Sequence, residues 1–239
     1  MYFMLFARDP KTVARLRDDT CGRRSQQWSL LARRVFANAV IDLQYGRMLG
    51  GQFLWKRDSS CSDYALLDKI FDDRIDDHDV LVDVGSGGGR VINYWLRLGH
   101  RGEIFGLEYD PVLASRSARR LRHYPNVSIL AGDAMRQLPA NGTIFYMFNP
   151  FGREAMNCFA KALARNVAQA PRDISVLYFN CKHLDVFEAD DRFRIESLEM
   201  IAHPTGAGQE LATITLTGVD ATTQARRPKP AIAMRDRDR

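Results

Sequence analysis

Residues 80–91 read VLVDVGSGGGRV, and the fold turns on them. An apolar run carries a single carboxylate, Asp83, and then enters a turn containing Gly85, Gly87, Gly88 and Gly89. A continuous apolar run of this length fits a strand buried on both faces, as in a parallel sheet covered by helices. The glycines admit dihedrals closed to other residues and let a ligand approach the main chain. The helix expected next adds main-chain N–H groups that have no partner within it.

Outward from this stretch the pattern alternates. VINYWLRLG predicts a helix ending at Gly99, and EIFGLEYD a strand. PVLASRSARRLRHY predicts an amphipathic helix opened by Pro111. VSILAGDA and TIFYMFN predict strands, and REAMNCFAKALARNVAQA a helix closed by Pro171. DISVLYFN is a strand and HLDVFEADD a short helix. FRIESLEMI and ELATITLTG follow, separated only by HPTGAGQ. Strands alternating with helices give an α/β fold: a doubly wound, mostly parallel sheet. The last two strands have no helix between them, so they must pair antiparallel. Seven strands result, one running against the rest. Upstream, DYALLDKIFDDR predicts a helix with a serine-rich cap region at residues 59–62. Trp28, Leu31, Val35 and Ala39 predict another in an N-terminal helical extension.

In an open α/β sheet ligands bind beyond the carboxyl ends of the strands, at the switch point beside the first strand. Dinucleotide binders place G-x-G-x-x-G there, which would require glycine where this chain has Arg90. The pattern that fits is D-x-G-x-G-x-G over residues 83–89. A carboxylate at the head of the turn suits a cationic amine better than a pyrophosphate. A purely structural tight turn is the alternative. Glu108 ends the second strand, 19 residues after Gly89, where an acid can accept both hydroxyls of a ribose. Asp133 and Ala134 end the third strand, where an adenine edge would be read, and Asn149 ends the fourth in NPFG. Turn chemistry alone does not require acids at the carboxyl ends of successive strands.

Composition bounds the rest. The 239 residues suffice for one sizeable core, and 46% hydrophobic with 10% aromatic residues is ordinary for a globular domain. No apolar run approaches the roughly 20 residues that span a bilayer, and MYFMLF lacks the basic leader of a signal peptide. Cys21, Cys61, Cys158 and Cys181 have neither metal-ligand spacing nor the density of a disulfide framework, so a cytoplasmic protein without a metal is expected. The net charge of +5 sits at the ends: residues 1–40 carry +5, residues 225–239 carry +4, and residues 41–224 hold 20 Lys/Arg against 24 Asp/Glu. A dedicated nucleic-acid binder would show a basic domain face instead, so a nucleic-acid partner is not the favoured expectation. The charged, proline-containing tail is expected to be disordered.

Residues 83–90, Glu108, Asp133 with Ala134, and residues 149–152 resemble the successive motifs of class I S-adenosylmethionine-dependent methyltransferases, over about residues 60–218. VLVDVGSGGGRV with TIFYMFNPFGREAMNCFAKAL is similar to the non-SET histone-lysine methyltransferase domain and to small bacterial proteins of that sequence type, as is DLQYGRMLGG. The resemblance implies a Rossmann-like methyltransferase domain at 59–220, after an extension at 1–58 and before a tail at 221–239. It implies S-adenosyl-L-methionine as cofactor. Asp83, Gly85, Ser86, Gly87 and Gly89 would hold its methionine part, Glu108 the ribose, and Asp133 with Ala134 the adenine, with Tyr109 also among the cofactor-binding residues. Ser62 and Tyr64 would close over it. Asn149 would touch the cofactor and, through its carbonyl, accept from a target NH₂, as in the Asn/Asp-Pro-Pro-aromatic segment of amino-group methyltransferases. Phe151 and Gly152 depart from that segment.

The function expected is methyl transfer to an N or O nucleophile by in-line displacement, on an acceptor that could be protein, small molecule or glycan. An oxygen acceptor would want a base, for which His183 and His203 are the candidates. The alternatives are a cofactor-binding accessory subunit of the same fold without transfer activity, and an NAD-linked oxidoreductase, which Arg90 disfavours.

Overall fold

The computed structural model describes residues 32–34, 36–46, 62–202 and 208–218. MYFMLF, Trp28, Leu31, Val35, Cys21, Cys61, His203 and the charged tail lie outside them. The chain forms two compact units, Met1–Val40 and Ile41–Arg239. In the first, residues 36–40 are helical, with Asn38 and Ala39 buried and Phe36 exposed. The second contains the sheet, and among the described residues no helix is long and apolar enough to cross a membrane.

The second unit opens with a helical turn, α1 (41–44), then α2 (Tyr64–Phe71). Asp63, not the preceding serines, caps α2 by accepting from Ala65 N. The sheet elements are β1 (Leu81–Val84), β2 (Ile104–Glu108), β3 (Val127–Ala131), β4 (Ile144–Phe148), β5 (Ile174–Phe179), β6 (Arg194–Ile201) and β7 (Gln209–Leu216). Between them lie α3 (Arg90–Arg97), α4 (Pro111–Leu121), α5 (Arg153–Gln169) and α6 (Asp185–Glu188). A single 3₁₀ turn at Ala134–Arg136, which periodicity did not reveal, follows β3. Pro111 opens α4 behind the Asp110 cap, as its fixed φ favours.

The strands run in the order β3-β2-β1-β4-β5-β7-β6. β1 to β5 are parallel; β7 is antiparallel to both β5 and β6 and is the one strand against the rest. Chain order reverses between β1 and β4, which sets the switch point beside Asp83.

Strand alternation divides the core. Val82, Val84, Phe145, Met147 and Val176 meet Met156, Phe159 and Leu163 of α5 on one face. Leu81, Tyr146, Leu177 and Phe179 meet Leu67, Ile70, Ile92 and Trp95 of α2 and α3 on the other. Phe71 closes this second layer with ring contacts to Tyr94, Trp95 and Tyr146. By the same alternation, Asp83 lies on the α3 side, opposite Gly106 of β2 and Tyr146 of β4.

Candidate cofactor and active site

The four parallel strands β1–β4 deliver the expected residues to one edge of the sheet. Gly85 and Ser86 both donate to Leu107 O, at 2.8 and 3.0 Å, fastening the turn after β1 to the end of β2. Gly87 N donates to Glu108 Oε2 at 2.7 Å, and Asp110 N to Oε1 at 2.8 Å. Glu108 thus braces the glycine turn while its carboxylate keeps further lone pairs for a ligand. The chain enters α3 through Gly89, whose φ of +76° puts the helix cap in the left-handed region. A Cβ on Gly89 would also stand 2.7 Å from Arg120 Nη2. At Gly87 (φ +54°), by contrast, a Cβ would meet nothing nearer than Gly85 O at 3.9 Å. The turn is therefore packed at its base and open at its crest.

Asp83 is buried, and its Oδ2 has no hydrogen-bond partner. Burial first, and the neighbouring Glu108 charge second, push its carboxyl up to about 8. Ser86 Oγ, in the turn itself, is a second buried polar atom without a partner. Buried polar groups are normally satisfied, so two orphans in consecutive segments make the head of this turn the candidate ligand site.

The other strand tips complete the edge. Tyr109 is 78% exposed beside Glu108. Asp133 accepts from Met135 N at 3.0 Å and caps the 3₁₀ turn, with Ala134 buried behind it. Asn149 takes a φ of +41° at the end of β4. Its neighbour Pro150 stands 3.2 Å from where a Gly85 Cβ would be, so the segment at 149–152 abuts the glycine turn. Tyr178 OH donates to Asn149 Oδ1 at 2.8 Å and accepts from His183 N at 3.3 Å. Burial pushes the Tyr178 phenol up to about 12, so it keeps the proton it donates. Tyr178 takes one of the two lone pairs on the side-chain oxygen that the sequence assigns to an amine acceptor. His183 joins the cluster through its main-chain N–H. Phe151 packs on Phe159, with ring centroids 5.3 Å apart, and belongs to the core.

Tyr64 and Ser62, expected to close over the cofactor, are used internally. Tyr64 OH donates to Asp42 Oδ1 at 2.9 Å and accepts from Asn93 Nδ2 at 3.2 Å. Ser62 Oγ pairs with Tyr146 OH at 3.1 Å. Arg90, recognised in the sequence only as the residue that breaks a dinucleotide motif, bonds both Asp42 oxygens, at 3.2 and 2.5 Å, in a pair almost wholly buried. Arg120 ties the same region together through Gly88 O (2.9 Å), Asn93 Oδ1 (2.6 Å) and Tyr45 O (2.7 Å). These partners are separated by up to 75 residues, and no local motif announces them.

No family model and no curated protein matches the chain in sequence. Solved structures share its fold. A Listeria monocytogenes protein described as a candidate class I S-adenosylmethionine-dependent methyltransferase aligns with a TM-score of 0.52 at 13% identity, over 72% of this chain and 61% of its own. A Streptococcus pneumoniae protein described as a candidate tRNA (m1A22) methyltransferase gives 0.51 at 9%, over 66% and 73%. The B. subtilis tRNA (m1A22) methyltransferase TrmK gives 0.50 at 12%, over 62% and 64%. The chain thus spans less than two thirds of the Listeria and B. subtilis proteins. At these identities the likeness is one of fold: the protein has the Rossmann-like fold of class I methyltransferases.

Proposed function

We propose that the protein is an S-adenosylmethionine-dependent methyltransferase that transfers a methyl group to an N or O nucleophile. The reading rests on Asp83, a buried carboxylate without a partner at Oδ2, placed at the head of an open glycine turn. A cationic α-ammonium is the group that such a carboxylate lacks, and Ser86 Oγ lies against Gly106, the strand partner of Asp83. Glu108 then takes the ribose hydroxyls, Tyr109 covers the ligand from the exposed side, and Asp133 with Ala134 borders the base. Tyr64 is left out of this set, because its hydroxyl serves Asp42 and Asn93. The cofactor supplies a methyl group on an already activated sulfonium, so the protein's task is alignment and exclusion of water. Asn149 Oδ1, oriented by Tyr178, keeps a second lone pair for a target N–H or O–H, beside the main-chain carbonyl of the same residue.

Calorimetric titration with S-adenosylmethionine, S-adenosylhomocysteine and NAD tests the reading; binding of NAD alone would overturn it. The Glu108→Ala variant should bind S-adenosylhomocysteine about 1–3 kcal/mol more weakly, the loss expected for hydrogen bonds to a charged group. An unaltered titration would put the ribose elsewhere. A melting curve run alongside separates that loss from slackening of the Gly87 brace.

A further inference from the structure

Residues 111–132 contain Arg116, Arg119, Arg120 and Arg122 and not one Asp or Glu. Their +4 lies within residues 41–224, whose net charge is −4, so the remainder of that segment carries −8. The helix α4 gathers the charge. Positions 116, 119 and 120 fall on one helical face, with Arg122 at the C-cap and His123 in the turn just beyond. Arg116, Arg119, Arg122 and His123 are exposed. Together with Arg120 and Gly46 they line a shallow recess of about 330 Å³.

Arg120 has a structural task in holding Gly88, Asn93 and Tyr45. Arg116, Arg119 and Arg122 make no ion pair with the described residues. The helix dipole favours one or two cations in the last turn but does not ask for Arg116 at mid-helix. Nor does the helix offer counter-charges: the neighbours of Arg116 at three and four residues are Val112, Leu113, Arg119 and Arg120. Like charges at these spacings destabilise a helix, so the protein sustains a repulsion that an external polyanion would relieve.

We propose that this face of α4 binds the phosphodiester backbone of a nucleic acid. Guanidinium forks match phosphate oxygens in pairs. Arg116, Arg119 and Arg122 recur every three residues, a rise of about 4.5 Å each, so their long side chains can reach successive phosphates of one strand. A nucleic-acid strand carries a phosphate in every nucleotide, whereas an extended peptide turns only every second side chain to one face. A membrane surface would need several apolar side chains to bury, and beside the arginines this face shows Val112 alone. The inference is independent of the ligand proposed for the glycine turn, so titration with S-adenosylhomocysteine and a thermal melt serve as folding controls.

The test is fluorescence anisotropy of the full chain with a labelled oligouridylate of about 20 nucleotides, over a salt series from about 50 to 200 mM, where phosphate contacts are read from the slope of log K against log salt. The triple variant Arg116→Ala, Arg119→Ala, Arg122→Ala should make that slope shallower by about 2, at about 0.7 per single-strand phosphate contact, and weaken binding at least about tenfold at the lowest salt. Arg119→Ala alone should lower it by about 0.7. The corresponding triple Lys variant keeps the charge and should keep the slope. Equal slopes for the parent and the Ala triple would assign any binding to the basic chain ends and overturn the proposal. So would absence of binding by the parent at the lowest salt, or a loss in the Lys triple as deep as in the Ala triple. Sedimentation with phosphatidylglycerol vesicles, lost in the Ala triple while the parent ignores the oligouridylate, would reassign the face to a membrane.

Discussion

The variant Asp83→Asn should fold and yet fail to bind S-adenosylmethionine or S-adenosylhomocysteine, and above pH 8 it should be more stable than the parent. All three outcomes follow from a carboxylate buried without a partner at Oδ2. Its folded-state value is raised to about 8, against about 3.9 in an unfolded chain. A raised carboxyl binds its proton more tightly in the folded state, so its stabilising contribution is complete below about pH 4 and falls away as pH climbs through 8. The asparagine variant does not titrate. The difference between the two unfolding free energies, measured by urea denaturation, should therefore widen from pH 4 to pH 8 by an amount on the order of 5 kcal/mol, then level off. Binding has the complementary signature. A cationic ligand needs the ionised form, so complex formation at pH 7 should release close to one proton, seen as a dependence of the apparent calorimetric enthalpy on buffer. Parallel stability curves would show that Asp83 has a partner in solution. Undiminished affinity in the variant would remove it from the site.

The second large effect concerns Asp42 and Arg90. Replacing Asp42 by Ala takes away the carboxylate that both Nε and Nη2 of a buried guanidinium use. Removing one partner of a buried pair costs about 3–5 kcal/mol, because the other charge stays behind. Arg90 is the first residue of α3, immediately after Gly89, so ligand affinity should fall together with stability. Replacing both residues, Asp42→Leu with Arg90→Met, and adding Tyr64→Phe to remove the hydroxyl that Asp42 accepts from, should recover part of the stability, since well-packed apolar groups often substitute for such a pair. Equilibrium denaturation of the two single variants and the double variant gives the coupling directly. Additive losses would mean that the pair contributes nothing as a pair.

The parallel strands and the helices between them were legible because burial on both faces writes unbroken apolar runs, and because Pro111, Gly99 and Pro171 punctuate them. The antiparallel end was legible from the missing helix between β6 and β7. Asp83, Glu108, Asp133 and Asn149 could be found since strand tips follow directly from the strands. What Asn149 and Tyr64 do with their side chains could not be read. Their partners, Tyr178 for the first and Asp42 with Asn93 for the second, lie 22 to 29 residues away along the chain and meet them only after folding. The basic face escaped for a different reason. A net charge taken over a whole segment averages an arginine helix against acids elsewhere, and only the helical period brings Arg116, Arg119 and Arg122 together.

The position of β7 between β5 and β6 has a bearing on synthesis. As the chain leaves the ribosome, β1 to β5 can assemble from segments already made, but ISVLYF of β5 then presents a bare apolar border. β6 emerges next and has no berth, because β7, its one neighbour among the described residues, is still to come. Until residues 209–216 are translated, the nascent sheet displays an edge open to pairing with other chains. Its last strand works as a closing wedge, and a polypeptide interrupted a few codons before it would be a candidate for chaperone capture rather than a slightly shorter version of the same protein.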